Sequence, residues 1–250
     1  MLLIKKLLLK LLGLPAFLRL VSKTYLILYF KNLLNKKIHN EALYLTQFIR
    51  KNWVCIDIGA NLGYYSIPLG KLVGEKGTVY SVEPIPLFVE ILTANIQRYN
   101  LKNIHILPYA LGDNNSGTIQ MGTPEIDGMF RHGYTKVLEK QDYTYAKTYN
   151  VPLRNPIDLF KDLTQLHFIK CDVEGYETHI LPHFKEILLQ FKPILQIEIV
   201  PIKNKKILFQ FFQELGYQLL VLQDDKLIKI DTQQAITEKH INYYFIYETF

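Results

Sequence analysis

One stretch constrains this chain more than any other: Val54-Cys55-Ile56-Asp57-Ile58-Gly59-Ala60-Asn61-Leu62-Gly63-Tyr64-Tyr65. Val54, Ile56 and Ile58 make a short β-branched run of the kind that forms a strand covered on both faces. Gly59 permits a turn that a side chain would hinder. Gly63 lets the next helix, or a ligand, come close. The first amides of that helix have no partner within it and point into the turn.

Turns that hold a dinucleotide pyrophosphate read G-x-G-x-x-G. This one reads D-x-G-x-x-x-G, and Asp57 would meet a phosphate with like charge. A carboxylate there suits a cation, and S-adenosylmethionine carries both a sulfonium and an ammonium. An ordinary strand–helix turn capped by Asp57 is the plain alternative. The downstream spacing favours the ligand: Thr78-Val79-Tyr80-Ser81-Val82-Glu83 reads as a second strand ending in an acid. An acid in that place accepts hydrogen bonds from ribose hydroxyls, whichever nucleoside cofactor is bound.

A length of 250 residues, 49% hydrophobic and 21% charged, fits one globular domain with a small appendage. Cys55 and Cys171 sit in apolar strand-like runs and form no disulfide framework, which points to a reducing compartment. There is no CxxC or Cys/His cluster of the kind that binds zinc. The net charge of +6 is unevenly placed. Of the 29 Lys and Arg, eight lie in residues 1–40, which hold no acid, so the remainder carries 21 basic against 23 acidic groups. A basic surface spread over the domain, and with it a nucleic-acid partner, is not expected.

Residues 1–40 therefore read as a basic, amphipathic helical arm, and residues 41–250 as the domain. The Leu/Lys pattern, broken near Gly13 and Pro15, fits an interfacial arm on a membrane through residues 1–34. A helix packed on the domain fits it equally. A cytoplasmic protein, at the inner membrane surface if the arm binds lipid, is the expectation. Residues 122–150 read as an irregular loop that contacts substrate, with Met129, Phe130, Tyr134, Tyr143, Tyr145 and Tyr149 scattered among glycines.

Strand and helix alternate from residue 54 to about 222, which predicts a doubly wound, mostly parallel α/β sheet, Rossmann-like. Four stretches carry a family resemblance: Asp57-Ile58-Gly59-Ala60-Asn61-Leu62-Gly63, Val82-Glu83-Pro84, Lys170-Cys171-Asp172-Val173-Glu174-Gly175-Tyr176-Glu177, and Pro193-Ile194-Leu195-Gln196-Ile197-Glu198. The sequence resembles the FkbM family of S-adenosylmethionine-dependent methyltransferases over roughly residues 50–200. The resemblance implies a seven-stranded class I methyltransferase sheet. It implies that Asp57, Gly59, Asn61 and Gly63 meet the methionine part of the cofactor, that Glu83 meets the ribose, and that Asp113 meets the adenine amino group. It implies an acceptor hydroxyl on a sugar, glycolipid or secondary metabolite.

An alkyl hydroxyl is a poor nucleophile, and a base adds about 10²–10⁴-fold. Asp172, at the C-terminal end of a strand, is the candidate base, with His167 and His179 as alternatives. Glu174, Glu177 and Glu198 are candidates for contact with the substrate. Asp172, Glu174 and Glu198 also make an oxygen-rich set suited to magnesium, although a metal-free enzyme is the expectation. Competing readings are an NAD(P)-dependent Rossmann oxidoreductase, disfavoured by Asp57 and the missing third glycine, a non-catalytic membrane-associated binding protein of the same fold, and a sugar-nucleotide transferase.

Overall fold

A computed structural model describes residues 2–113, 117–138 and 145–247. Two helices open the chain, α1 (Leu2–Phe30) and α2 (Lys36–Phe48). Next come β1 (Val54–Ile58), α3 (Ser66–Val73), β2 (Thr78–Val82), α4 (Pro86–Arg98) and β3 (Ile104–Leu107). A run of strands continues the chain: β4 (Ala110–Leu111), β5 (Thr118–Ile126), β6 (Met129–Phe130), β7 (Lys136–Val137) and β8 (Tyr145–Arg154). The alternation resumes with α5 (Pro156–Phe160), β9 (Phe168–Cys171), α6 (Glu177–Ile180), α7 (Lys185–Phe191), β10 (Ile194–Glu198) and α8 (Ile202–Glu214). The chain closes with β11 (Tyr217–Gln223), β12 (Lys226–Lys229), α9 (Thr232–Thr237) and β13 (Asn242–Tyr247).

The main sheet runs β12-β11-β13-β10-β9-β1-β2-β3. The five strands from β10 to β3 are parallel, and β13 enters antiparallel beside β10. The order reverses at β1, where the chain that built β2 and β3 outward restarts on the other side with β9. Open α/β sheets bind ligands in the crevice at that reversal. The seven expected strands are joined by an eighth, β12. It forms because Asp224 and Asp225 both take positive φ and make a tight hairpin turn with β11.

Both faces of the sheet are covered, as its β-branched strands require. On one face Ile56, Ile58, Ile169, Leu195 and Ile197 pack against Phe184, Leu188, Leu208 and Phe212. On the other, Cys55, Val79 and Phe168 pack against Leu26, Leu45, Ile67 and Leu69.

The segment expected to be irregular is largely a second sheet. β5 and β8 pair antiparallel from Thr118↔Pro152 to Pro124↔Tyr145, with a register irregularity at Thr123/Pro124. The ladder runs unbroken through Gly122 and is interrupted only at Pro124, which cannot donate a ladder hydrogen bond. One face of the ladder is wet, so polar residues such as Gln120, Thr148 and Asn150 occupy it, opposite the inward Tyr149, Val151 and Leu153. Tyr143 lies outside the described residues.

Nor are residues 1–40 one uniform arm. Gly13, at φ 72 and ψ 165, kinks α1 into two segments. The second packs into the domain: Phe17, Leu18, Leu26 and Tyr29 are buried, and Arg19 pairs with Glu90 of α4. Asn95 Nδ2 of α4 donates to Ser22 Oγ at 3.1 Å and to the carbonyl of Leu62 at 2.9 Å, tying this segment to the glycine turn. The first segment rests its Leu8 and Leu9 beside Met129 and Phe130. Its outer face exposes Leu3 (81%), Ile4, Leu7 and Leu11 (72%). By length and composition Leu3–Phe30 would suffice to cross a bilayer, but the burial of its second segment holds it to the domain instead.

Candidate functional site

The site rests on a row of polar side chains across the middle of the sheet. The strand registers place Ser81, Asp57, Lys170, Gln196 and Tyr244 side by side on one face of β2, β1, β9, β10 and β13. All five are buried, and the row is joined by hydrogen bonds to the covering helices. Ser66 Oγ donates to Asp57 Oδ2 at 2.5 Å and accepts from Ser81 Oγ at 2.7 Å. Gln196 Nε2 lies 3.3 Å from both Glu41 Oε2 and the Tyr65 hydroxyl, and Tyr244 donates to Glu41 Oε2 at 2.6 Å. Pairing of this kind is what makes a buried polar row tolerable, and Gln196 Oε1 is the atom of the row left without a partner among the described residues.

Burial pushes Asp57 up to about 6, against the pull of its bond from Ser66 and the charge of Lys170. Burial alone would depress Lys170, yet the carboxylates of Asp172, Glu198 and Asp57 outweigh it and hold its ammonium above the ordinary value. Lys170 Nζ sits 3.7 Å from Asp172 Oδ2 and 5.1 Å from the centre of the Tyr65 ring.

Above the row, at the C-terminal ends of β1, β2 and β9, lies a cavity of about 180 Å³. Asp57, Gly59, Asn61, Glu83, Asp172 and Glu174 all line it. Gly59, at φ +83, faces the carbonyl oxygen of Asp172 so closely that a Cβ would fall on it. The Glu83 carboxylate accepts the amides of Asn61 and Ile85, both at 2.8 Å. Burial, only partly offset by those two bonds, raises it to about 7. Each oxygen keeps a lone pair for a further donor.

Asn61 is committed differently from the expectation. Its Nδ2 donates to the His132 carbonyl at 3.1 Å, which leaves Oδ1, 3.0 Å from His132 Nδ1, as the acceptor of the ring proton. His132 belongs to the turn between β6 and β7, so this pair clamps the second sheet over the glycine turn. Burial lowers His132 to about 4 and keeps the ring neutral.

Three expected residues stand elsewhere. Gly63 approaches Leu92 and Ile67 of the neighbouring helices, not the cavity. Asp113 is exposed beyond β4, because pairing of Leu111 with Arg154 carries the chain away from the cavity wall formed by Tyr109, Ala110 and Leu111. Glu177 is absorbed by the fold: its Oε1 accepts the amide of Gly175 at 2.9 Å, and Asn204 Nδ2 reaches its Oε2 at 3.5 Å. The two alternative bases are also remote. His167 Nδ1 accepts the amide of Val54 at the opposite, N-terminal ends of the strands and stacks on Trp53, and His179 stacks on Tyr176 outside the cavity.

The carboxylate oxygens of Asp172, Glu174 and Glu198 lie within 4.8 Å of one another and could hold a hard divalent cation. Lys170 already places a positive charge against Asp172. Burial and the neighbouring Asp172 charge raise Glu174 to about 8 and Glu198 to about 7. Three residues had no role assigned from sequence: Tyr65, Lys170 and His132. Lys170 stands in an otherwise apolar strand and was visible as an anomaly; nothing around His132 marks it.

The family model "Methyltransferase FkbM domain" matches residues 57–219. Among curated proteins, the chain is 40% identical over 52 residues to a "Probable cobalt-precorrin-6B C(15)-methyltransferase (decarboxylating)" of Sulfolobus acidocaldarius, covering 21% of this chain and 27% of that protein. It is 35% identical over 69 residues to a protein-L-isoaspartate O-methyltransferase of Methanothrix thermoacetophila, covering 28% and 31%. The chain thus spans about a third or less of the length of these relatives. Among solved structures it superposes on the methyltransferase FkbM from Methylobacillus flagellatus KT with a TM-score of 0.52 at 18% identity, over 80% of this chain and 45% of that one. That likeness concerns the fold, which is the class I methyltransferase fold. The match of a single family model across well over half of the sequence, on the strands and turns that build the cavity, shows that the chain belongs to the FkbM methyltransferase family.

Proposed function

We propose that the protein is an S-adenosylmethionine-dependent methyltransferase acting on a hydroxyl of a sugar, glycolipid or secondary metabolite. One observation carries this: Asp57 and Glu83 face a single cavity whose far wall is Asp172. The donor set fits the cofactor. Asp57, with Lys170 beside it, offers negative charge to a sulfonium-bearing amino acid, and Glu83 has lone pairs free for a ribose diol. S-adenosylmethionine supplies an electrophilic methyl group. The chain's share is to hold the acceptor oxygen in line and to exclude water, an effect worth roughly 7–11 kcal/mol of barrier in favourable cases. Asp172 would take the hydroxyl proton as the methyl group leaves sulfur for the oxygen, and Lys170, 3.7 Å away, would orient its carboxylate. Calorimetric titration with S-adenosylmethionine, S-adenosylhomocysteine and NADPH tests the reading. Binding of the two adenosyl ligands, weakened in Asp57→Ala, supports it; binding of NADPH alone refutes it.

We infer in addition that the first segment of α1 lies on an anionic lipid surface. The outer face of that segment is apolar, and Lys5 and Lys10 flank it. An exposed apolar stripe edged by cations is the composition of an interfacial helix.

A further inference from the structure

A second and larger cleft, of about 730 Å³, opens beside the first and shares Tyr64, Tyr65 and Asp172 with it. Methyl transfer needs donor and acceptor to approach within roughly 3–3.5 Å of one another, so two ligands held in separate cavities must meet at a shared wall. We propose that this second cleft is the acceptor site and that it takes a neutral sugar ring. The inference rests on the methyltransferase reading above.

The chemistry of the cleft selects that class. Three acids, Glu41, Asp172 and Glu198, line it together with one lysine, Lys239, and with His39 and His240. Burial raises the pKa of Glu41, even though it accepts a bond from Tyr244 and lies near Lys170. Carboxyl groups and imidazoles exchange hydrogen bonds with hydroxyls, and the acids outnumber the one lysine, so a neutral polyol fits better than an anionic ring. The upper walls are Tyr25, Leu222 and Ile241, surfaces on which the apolar face of a pyranose can lie. The volume is within the roughly 300–1,000 Å³ common for small-molecule sites. The polar row links the two cavities physically, because Gln196 and Tyr244 reach from the row to Glu41.

The cleft also divides the chain by origin. The family match covers residues 57–219. Tyr25, His39, Asn40 and Glu41 come from before it, and Leu222 and Lys239 through Asn242 from after it. The cofactor cavity is therefore built by the shared core, and the acceptor wall by two terminal segments folded together over the end of β10. This placement assigns specificity to parts of the chain that the family pattern does not describe.

The test blocks the cleft without touching the cofactor cavity. Asn40→Cys is labelled with a bulky maleimide; Cys55 and Cys171 are buried and do not compete. Lys76→Cys, exposed in the turn before β2 at the opposite edge of the sheet, is labelled as the control. Each protein is loaded with S-adenosylhomocysteine, and the methyl α- and β-glycosides of glucose, galactose, mannose, rhamnose and fucose are screened by saturation-transfer NMR. The expected result is a signal from at least one glycoside with unlabelled and Lys76-labelled protein, lost at least tenfold with the Asn40 label, while calorimetry shows S-adenosylhomocysteine affinity unchanged within twofold. A glycoside signal that survives the Asn40 label overturns the assignment of the cleft. No signal from any glycoside, with S-adenosylhomocysteine bound, overturns the sugar-ring class. Failure of S-adenosylhomocysteine to bind the unmodified protein overturns the methyltransferase reading itself, and this inference with it.

Discussion

Gly59→Ala is the substitution whose cost the structure defines best. Gly59 has φ +83, where an L-residue is strained by about 1–2 kcal/mol. The added Cβ would also fall on the backbone carbonyl oxygen of Asp172 and lie 3.4 Å from Val173 Cγ1. Backbone cannot rotate aside as a long side chain can. The end of β9 must move, at an overpacking cost of about 1–3 kcal/mol. That movement stretches the bond from the Asp172 amide to the Ile58 carbonyl, now 3.0 Å, worth about 1 kcal/mol. Together these make about 3–6 kcal/mol, a large share of the roughly 5–15 kcal/mol that holds a typical domain. Gly74→Ala is the internal control: φ is +70 and ψ −178, but nothing lies within 4 Å of the position its Cβ would take, so only backbone strain of about 1–3 kcal/mol applies. Urea unfolding followed by circular dichroism measures both. The reasoning requires Gly59→Ala to exceed Gly74→Ala by about 2 kcal/mol or more, the sum of the overpacking and hydrogen-bond costs. Equal losses would show that β9 yields without cost and that the close approach does not position Asp172.

Asp172→Asn should lower methyl transfer by about 10²–10⁴-fold while leaving S-adenosylhomocysteine affinity within a fewfold, by kinetics and calorimetry in parallel; an unchanged rate removes it as the base. Glu83, raised to about 7, and Asp57, raised to about 6, must be ionised to receive the cofactor, so affinity should fall as pH drops from 8 to 5.5. Stability of the free protein should move the opposite way. A carboxylate whose folded pKa is raised binds its proton more tightly when folded, so the contribution is full below about 4.5 and is lost as pH rises through about 7. EDTA should leave turnover intact; a loss restored by magnesium would assign a metal to Asp172, Glu174 and Glu198. Leu7→Glu with Leu11→Glu should abolish pelleting with vesicles of phosphatidylglycerol, and equal pelleting of both proteins would return the outer face of α1 to water.

The core of the site is legible in the sequence because its requirements are local. A buried strand, a turn at positive φ and an acid at the next strand end each leave a mark within a few residues, as Val54 to Gly63 and Glu83 show. Lys170 was visible as a charge in an apolar strand, but its partners Asp57 and Gln196 are set by strand register, which no short window reveals. The second sheet is legible only in part: Thr118 to Met121 reads as a short strand, and Tyr149, Val151 and Leu153 alternate with Thr148, Asn150 and Pro152, but a pairing across some thirty residues leaves no local trace. Asp113 went astray for a related reason: two residues of β4 pairing redirect the loop that carries it. The exposure of Leu3, Leu7 and Leu11 was open in the sequence, because packing of Phe17, Leu18 and Leu26 against the domain depends on α4.

The hydrogen bonds of Asn95 to Ser22 and to the Leu62 carbonyl bear on how this chain can be cut. A deletion of residues 1–34 would remove Leu18 and Leu26 from the core and leave Asn95 Nδ2, which also holds the Leu62 carbonyl, short of its Ser22 acceptor. It would read as loss of cofactor binding whatever the arm does at a membrane. Gly13 is the natural place to divide the molecule: the residues before it touch the domain only through partly buried side chains such as Leu8 and Leu9, and those after it are as much part of the fold as β1.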